Sequence, residues 1–366
     1  MRGRASGFRT GTSARRGCRR HEPQCEAYLR TVKLLILYTG GTIGMVTQRD
    51  GSLVPFHAEA LRANVPDLSR LQAEVDCRSL GQPKDSSDLG PDDWRVMVDA
   101  LWAARDEYDG FVVLHGTDTM AYSASALSFM LGGSFGKPVV LTGSQVPLGV
   151  LRSDGRDNLL TALEIAMLRD EDGAPLLREV TVFFENRLFR GNRVYKNSAR
   201  QFDAFLSPNY PELGRSGVEL VLHRERLWQP DLGEGRRSAL NPNVAVATLT
   251  PGMTESALRA MLLRSGAEGV VLQTLGSGNA PAWPWLATVL NEASVSGVRL
   301  AHVSQCRVAS QSPSNYASGK VIQDAGVWES GGMTLEAAVV KMMLVLALRA
   351  EAQSGAWSTS WAGERD

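Results

Sequence analysis

The sequence predicts an α/β protein of two doubly wound parallel-sheet domains, and three observations carry that prediction. Apolar runs of strand length recur and end in glycine and hydroxyl residues, most clearly Phe111-Val112-Val113-Leu114-His115 running into Gly116-Thr117-Asp118-Thr119. Segments with helical spacing separate the runs, which is the order that parallel strands require. A polar, breaker-rich stretch from Gln229 to Arg237 divides the alternation into two units.

The first element is Val32 to Tyr38, an apolar run that ends in Thr39-Gly40-Gly41-Thr42-Ile43-Gly44. Its glycines let the backbone turn sharply and approach a ligand, while Thr39 and Thr42 supply hydroxyls. The Lys-Ser/Thr ending of a phosphate loop is missing, and so is the dinucleotide glycine spacing with its acidic partner. Thr47 to Ser52 reads as a polar connection and Pro55 through Val65 as a short helix. A second strand is expected over Val75 to Leu80, running into Asp85-Ser86-Ser87-Asp88 and then a helix over Asp92 to Glu107. Trp94, Val98, Leu101 and Trp102 share one face of that helix. The hydroxyls and carboxylates before it suit an N-cap and also the capture of a small charged ligand.

After the central strand, Ala121, Ala124, Leu127 and Leu131 fall at helical spacing, with Asp118 or Thr119 placed to cap the first turn. The positive end of that helix dipole favours an anionic group of a ligand or intermediate. Lys137 to Leu141 followed by Thr142-Gly143-Ser144-Gln145 repeats the pattern. A helix over Leu159 to Leu168 and a strand over Val180 to Phe184 come next. Gly191-Asn192 suits a hairpin turn and leaves Lys196 displayed a few residues later. Past the breaker-rich stretch, strands are expected at Val244 to Leu249, Gly269 to Thr274 and Val298 to Val303. Helices are expected from Thr254, from Trp283 and over Thr334 to Leu348, with Asp324 to Met333 as a loop.

At 366 residues and 43% hydrophobic, the chain is long enough for two cores. Net charge is zero but unevenly spread. Residues 1–30 hold eight arginines against Glu22 and Glu26, a net +6 that leaves −6 on the remainder. The body therefore has no basic surplus to attract nucleic acid. The Arg-rich start lacks the apolar core of a secretory signal and reads as a disordered basic tail. The apolar run Ala337 to Ala350 is interrupted by Lys341 and Arg349 and is too short to span a bilayer, so no membrane partner is expected. Cys18, Cys25, Cys77 and Cys306 have neither pairing nor metal-ligand spacing, which fits a reducing cytoplasm, and Cys306 is expected to be a buried thiol.

Five histidines are available, His21, His57, His115, His223 and His302, and no Gly-x-Ser-x-Gly elbow accompanies them. No His and carboxylate grouping has metal spacing, so no metal is expected. What recurs is threonine at strand ends, with one aspartate and a lysine. A hydroxyl is a poor nucleophile until something takes its proton. Thr117, Asp118 and Lys196 suit such a relay: burial lowers a lysine pKa, while a neighbouring carboxylate raises it.

Four segments together resemble the bacterial-type L-asparaginases: Tyr38 to Gly44, His115 to Met120, Leu141 to Gln145 and Gly191 to Lys196. Asp85-Ser86-Ser87-Asp88 is similar to the cytoplasmic type I branch. The resemblance runs from about Val32 to about Leu348, in matching order and approximate spacing. It implies a larger flavodoxin-like N-terminal domain over residues 31–225, a linker over 226–243 and a smaller C-terminal α/β domain over 244–355. It also implies hydrolysis of L-asparagine to L-aspartate and ammonia without metal or organic cofactor, by a homodimer or homotetramer. By motif position, Thr42 resembles the nucleophile that forms an acyl-enzyme, while Thr117, with Asp118 and Lys196, resembles the group that activates water or relays a proton. Asp118 and Ser86 would hold the substrate's α-amino and α-carboxylate groups, with Asp85 and Ser87 close by. Gly41 and Gly116 would line the same place, and backbone amides near Gly41 and Thr117 would meet the oxyanion.

The chain departs from the family in one place. The family's mobile loop after the first threonine usually carries a tyrosine; here Ser52 stands at about that position, and no Tyr lies between Tyr38 and Tyr108. Tyr316, in a segment similar to one of the type I branch, is the candidate to replace it. Gln273 stands where the regulated bacterial enzymes have an arginine, so the resemblance gives no reason to expect regulation by asparagine. Two other readings stand beside the asparaginase one: the amidase subunit of a tRNA-dependent amidotransferase, and a non-catalytic flavodoxin-like module that binds an anion.

Overall fold

The computed structural model describes residues 31–47, 53–55, 61–308 and 317–365. Expectations for the basic tail, Ser52 and Tyr316 lie outside these residues. Within them, the strands of the larger sheet are β1 (Val32–Gly40), β2 (Ala73–Lys84), β3 (Gly110–Leu114), β4 (Val139–Thr142), β5 (Val180–Phe184) and β6 (Arg187–Arg190). A small ribbon, β7 (Tyr195–Lys196) and β8 (Phe205–Leu206), follows, and β9 (Gly214–Ser216) and β10 (Leu220–Leu222) complete the larger sheet. Its order is β10-β9-β6-β5-β4-β3-β1-β2.

Strands β1 to β5 run parallel in the spatial order 2-1-3-4-5, the flavodoxin-like order. The order reverses between β1 and β3, and the crevice outside their carboxyl ends is where a sheet of this kind receives a ligand. Helices α1 (Pro91–Ala104), α2 (Met120–Leu131) and α3 (Gly155–Met167) cross between these strands. Every residue of β3, β4 and β5 is buried, which is why they read as unbroken apolar runs.

The second sheet holds β11 (Val244–Thr248), β12 (Gly269–Thr274), β13 (Arg299–Ser304) and β14 (Trp328–Glu329), all parallel and in chain order. Helices α4 (Glu255–Leu263), α5 (Leu286–Val295), α6 (Ala317–Asp324) and α7 (Leu335–Leu346) belong to it, and α8 (Ala350–Ser358) follows. Thr254 caps α4 and Thr334 caps α7, each accepting from a backbone N–H three residues on. Residues of α2 and α7 share one buried cluster, so the two sheets are joined through apolar packing. The α/β class and its division into larger and smaller sheets are as the sequence predicts.

Several local expectations are corrected. The larger sheet does not stay parallel: β6, β9 and β10 extend it with antiparallel pairs. The hairpin is not at Gly191-Asn192 but at Glu185-Asn186, where both residues take positive φ, 47° and 62°, joining β5 to β6. Gly191–Arg193 is instead a buried 3-10 turn. Neither Asp118 nor Thr119 caps α2 with its side chain. Cys306 is exposed, because β13 ends at Ser304 and the chain has already left the core. The short helix expected over Pro55 to Val65 is one turn, Leu61–Asn64, among the described residues.

Positive φ at a non-glycine residue is strained. Burial and the nearby Asp154 and Asp203 carboxylates push the Glu185 carboxyl above its usual range. Glu185→Gly removes both penalties, so it is expected to raise the unfolding free energy by about 0.5–1 kcal/mol in denaturant titration.

Candidate functional site

The site is assembled where β1 and β3 end. β1 runs into Gly41, which has a φ of +85°, and a Cβ placed there would lie 2.4 Å from the Gly116 Cα. Two backbones therefore touch at the switch point, and only glycine fits on the β1 side. The Thr39 hydroxyl ties the strands together by donating to the Leu114 carbonyl at 2.9 Å. Gly116 in turn packs on Ser86, whose Oγ would meet an added Cβ at 2.5 Å. Ser86 is buried, and its carbonyl accepts from the Thr119 hydroxyl at 2.6 Å, which is why Thr119 is not free to cap α2.

Thr42 is half-buried and opens a 3-10 turn, Thr42–Gly44, directly after this contact. Thr42 and Thr117 thus leave adjacent strand ends. Tyr38 lies against the same turn and donates to the Gly44 carbonyl at 3.2 Å. Burial, with Cys77 adding to it, pushes the Tyr38 phenol up to about 12. Tyr38 supports the turn and is poorly suited to accept a proton from Thr42 at neutral pH.

Lys196, on β7, reaches the second cluster. Its Nζ donates to Thr117 Oγ1 at 2.7 Å and to Asp118 Oδ1 at 2.5 Å. The Lys196 side chain is mostly covered, while that of Asp118 is 61% exposed, so the pair opens outward on its acidic side. The N-terminus of α2 begins two residues later and adds its dipole to the same opening. Asp85 caps a short turn by accepting from Ser87 N at 2.9 Å and Ser87 Oγ at 2.8 Å. These bonds, helped by the Lys196 charge and opposed by burial, hold the Asp85 carboxyl below its usual range.

The structure therefore brings Thr117, Asp118 and Lys196 into direct contact and stacks Gly41, Gly116 and Ser86 beside them. Asp85 and Ser87 are occupied with each other. Sequence reasoning missed Gln145, whose Oε1 accepts from Thr117 Oγ1 at 3.4 Å. Its Nε2 donates to the Gln201 carbonyl at 2.9 Å and the Ser198 carbonyl at 3.3 Å, so the loop beyond β7 is tied to Thr117. The signal for Gln145 was its place at the end of the strand-glycine-hydroxyl pattern.

His115 lies beneath the site and is fully buried. Its Nδ1 meets the Gly116 carbonyl at 2.6 Å and its Nε2 the Ser123 hydroxyl at 2.8 Å, while Trp94 Nε1 donates to that hydroxyl at 3.0 Å. The network is complete for a neutral ring that donates from Nδ1 and accepts at Nε2. Burial pulls the His115 pKa down to about 4.

Across β7 from Lys196 lies a separate cavity of about 140 Å³, with Tyr195, Gln273, Cys306, Arg307 and Glu336 in its wall. Among the described residues, no cluster of His, Cys, Asp and Glu is arranged to hold a metal ion, and no helix is long and apolar enough to cross a membrane.

A hydroxyl held by an ammonium that is itself paired with a carboxylate, at the crevice of a doubly wound sheet, is an arrangement suited to a hydrolytic enzyme. Comparison with known proteins agrees. The family model described as Asparaginase, N-terminal, matches residues 33–228, and the Glutaminase/Asparaginase C-terminal domain matches residues 243–354. Over 320 residues the chain is 41% identical to L-asparaginase 1 of Escherichia coli K12, covering 86% of this chain and 91% of that protein. It is 39% identical to the mouse 60 kDa lysophospholipase, of which it spans 58%. The crystal structure of L-asparaginase I from Vibrio cholerae superposes with a TM-score of 0.82 at 38% identity, covering 92% of this chain and 100% of that one. The chain belongs to the asparaginase family.

The His115 network has a pH consequence. A folded pKa of about 4 against 6.5 means that the fold favours the neutral ring. The stability His115 contributes is whole above about pH 6.5 and is lost as the pH falls towards 4, up to about 3 kcal/mol. Denaturant unfolding of wild type and His115→Gln across that window is expected to show a steeper decline for wild type.

Proposed function

We propose that the chain is an L-asparaginase, hydrolysing the side-chain amide of L-asparagine to L-aspartate and ammonia. The observation that carries the reading is the contact of the Lys196 ammonium with both Thr117 and Asp118, at the crevice where Gly41 touches Gly116. Family membership supports the substrate.

In this reading the Thr42 hydroxyl oxygen attacks the side-chain amide carbon, and the carbonyl π pair moves onto oxygen. Backbone N–H groups near Gly41 and Thr117 meet that charge. The amide nitrogen takes up the proton that Thr42 gave up, the C–N bond breaks as the oxyanion collapses, ammonia leaves and an ester remains on Thr42. A water held by Thr117 and Lys196 then adds to the ester, and its collapse returns the Thr42 hydroxyl and releases aspartate. Asp118 and Ser86 hold the substrate's α-amino and α-carboxylate ends, beside Asp85 and Ser87. Tyr316 is the sequence candidate for taking the Thr42 proton. We assign the catalytic domain to residues 31–225, the linker to 226–243 and the C-terminal domain to 244–355, and place the enzyme in the cytoplasm as a homodimer or homotetramer.

The test is ammonia release from L-asparagine against L-glutamine, in wild type and in Thr42→Ala, Thr117→Ala and Lys196→Met. Each variant is expected to keep wild-type circular dichroism and to lose about 10²–10⁴ in kcat. Losses below tenfold at both threonines would overturn the assignment, and normal turnover by Lys196→Met would make Lys196 a structural group. Wild-type inactivity toward both amides, with thermal stabilisation by nucleotides, would favour an anion-binding module.

A further inference from the structure

The C-terminal segment after α8 turns back into the protein and closes on itself. Glu364, fully buried, accepts from Lys341 Nζ at 2.5 Å, from the Trp361 N–H at 2.9 Å and from the Ala362 N–H at 2.9 Å. Lys341, fully buried on α7, also donates to the Thr359 carbonyl at 2.6 Å. Burial opposes ionisation of Glu364, but the Lys341 charge and the two amides outweigh it and hold the carboxyl below its usual range. The result is a rigid hook over Thr359–Arg365.

The hook presents its carbonyls to the turn that precedes Lys196. Asn192 Nδ2 donates to the Ala362 carbonyl at 2.9 Å, and Arg193 Nε donates to the Gly363 carbonyl at 2.7 Å. Arg190 Nη1 donates to the same Gly363 carbonyl at 3.3 Å, and Arg193 Nη1 to the Gly332 carbonyl at 3.4 Å. Gly363 takes a φ of +73°, and a Cβ there would lie 2.5 Å from Arg190 Nη1, so glycine alone allows this approach. The whole Gly191–Arg193 turn is buried, and Lys196 follows three residues after Arg193.

We infer that the hook Thr359–Arg365 is a positioning element of the active site, with Arg193 as its positioning residue: it fixes the Gly191–Arg193 turn and thereby sets the Lys196 ammonium against Thr117 and Asp118. The inference rests on the reading of Lys196 as a catalytic group. A shift of about 1 Å in a group of that kind costs up to about 10²-fold in rate, and the bonds from Asn192 and Arg193 to the hook fix the backbone three residues before Lys196.

The test uses the full chain with Gly363→Ala and, separately, Arg193→Lys, which keeps the charge and stem but loses the guanidinium fork. Both are expected to lower kcat by about ten- to a hundredfold with KM within about threefold, at a temperature where melting curves show the protein folded. Folded variants with wild-type kcat, whatever their melting temperature, would reduce the hook to a structural part. The two readings separate cleanly. An inactive Lys196→Met beside a fully active Gly363→Ala and Arg193→Lys overturns this inference alone, whereas an active Lys196→Met overturns the catalytic reading beneath it. Should Gly363→Ala fail to fold, Arg193→Lys decides the matter by the same split.

Discussion

The contact between Gly41 and Gly116 is the constraint on which the rest of the site depends. Parallel strands normally keep their ends a strand spacing apart and let the following loops diverge. Here β1 turns immediately across the end of β3, because neither residue has a side chain to hold the backbones apart. That crossing sets Thr42 beside the loop that carries Thr117 and Asp118. Ser86 fills the remaining side of Gly116 and is locked by Thr119, so three strand ends form one rigid floor. The crevice has this shape because β1 has β2 on one side and β3 on the other, and the crossover helices diverge there.

Beneath the floor, the polar groups are satisfied by a chain of donors in place of a charge. Trp94 donates to Ser123 and the Ser123 hydroxyl meets His115, whose other nitrogen meets Gly116. A protonated imidazole there would turn its Nε2–H toward a hydroxyl that already accepts from Trp94 and would deprive that hydroxyl of its acceptor, inside a fully buried site. The neutral ring therefore holds the Gly116 peptide in one orientation. His115, at the end of a buried strand, serves the geometry of the loop above it.

What could be read from the sequence follows from how local its cause is. β3, β4 and β5 were legible because both faces are buried and no alternation interrupts them. The edge strand β2 extends well beyond Val75 to Leu80 because most of its residues are half-buried or exposed, and polar alternation carries little signal. The hairpin at Glu185-Asn186 was hidden because turn chemistry favours glycine, and the nearby Gly191 offered it falsely. Lys196 lies 79 residues from Thr117 and 78 from Asp118, so their contact has no local signature; the expectation that they meet comes from the proton acceptor a hydroxyl needs, not from spacing. Lys341 read as an interruption of an apolar helix. Only the returning chain end, which supplies Glu364, shows why a lysine is there.

Two fully or nearly fully buried ion pairs, Glu179–Arg190 and Lys341–Glu364, flank the segment that delivers Lys196. Buried pairs are weak sources of stability, because desolvation cancels most of their attraction and apolar residues of similar volume would fill the same space. Their distinguishing property is direction: an apolar pair tolerates a small slide, whereas a guanidinium or ammonium surrounded by fixed carbonyls does not. Arg190 binds Glu179, the Arg226 carbonyl and the Gly363 carbonyl at once, so its position is overdetermined from three parts of the chain. The short ribbon β7–β8 is anchored on its apolar side by Tyr195 and Phe205, both buried, with the Phe205 ring 5.1 Å from that of Phe184. Directional charges on the turn before β7 resist the small slides that apolar packing tolerates, and under the proposed reading of Lys196 a proton relay of hydrogen-bond length needs that resistance.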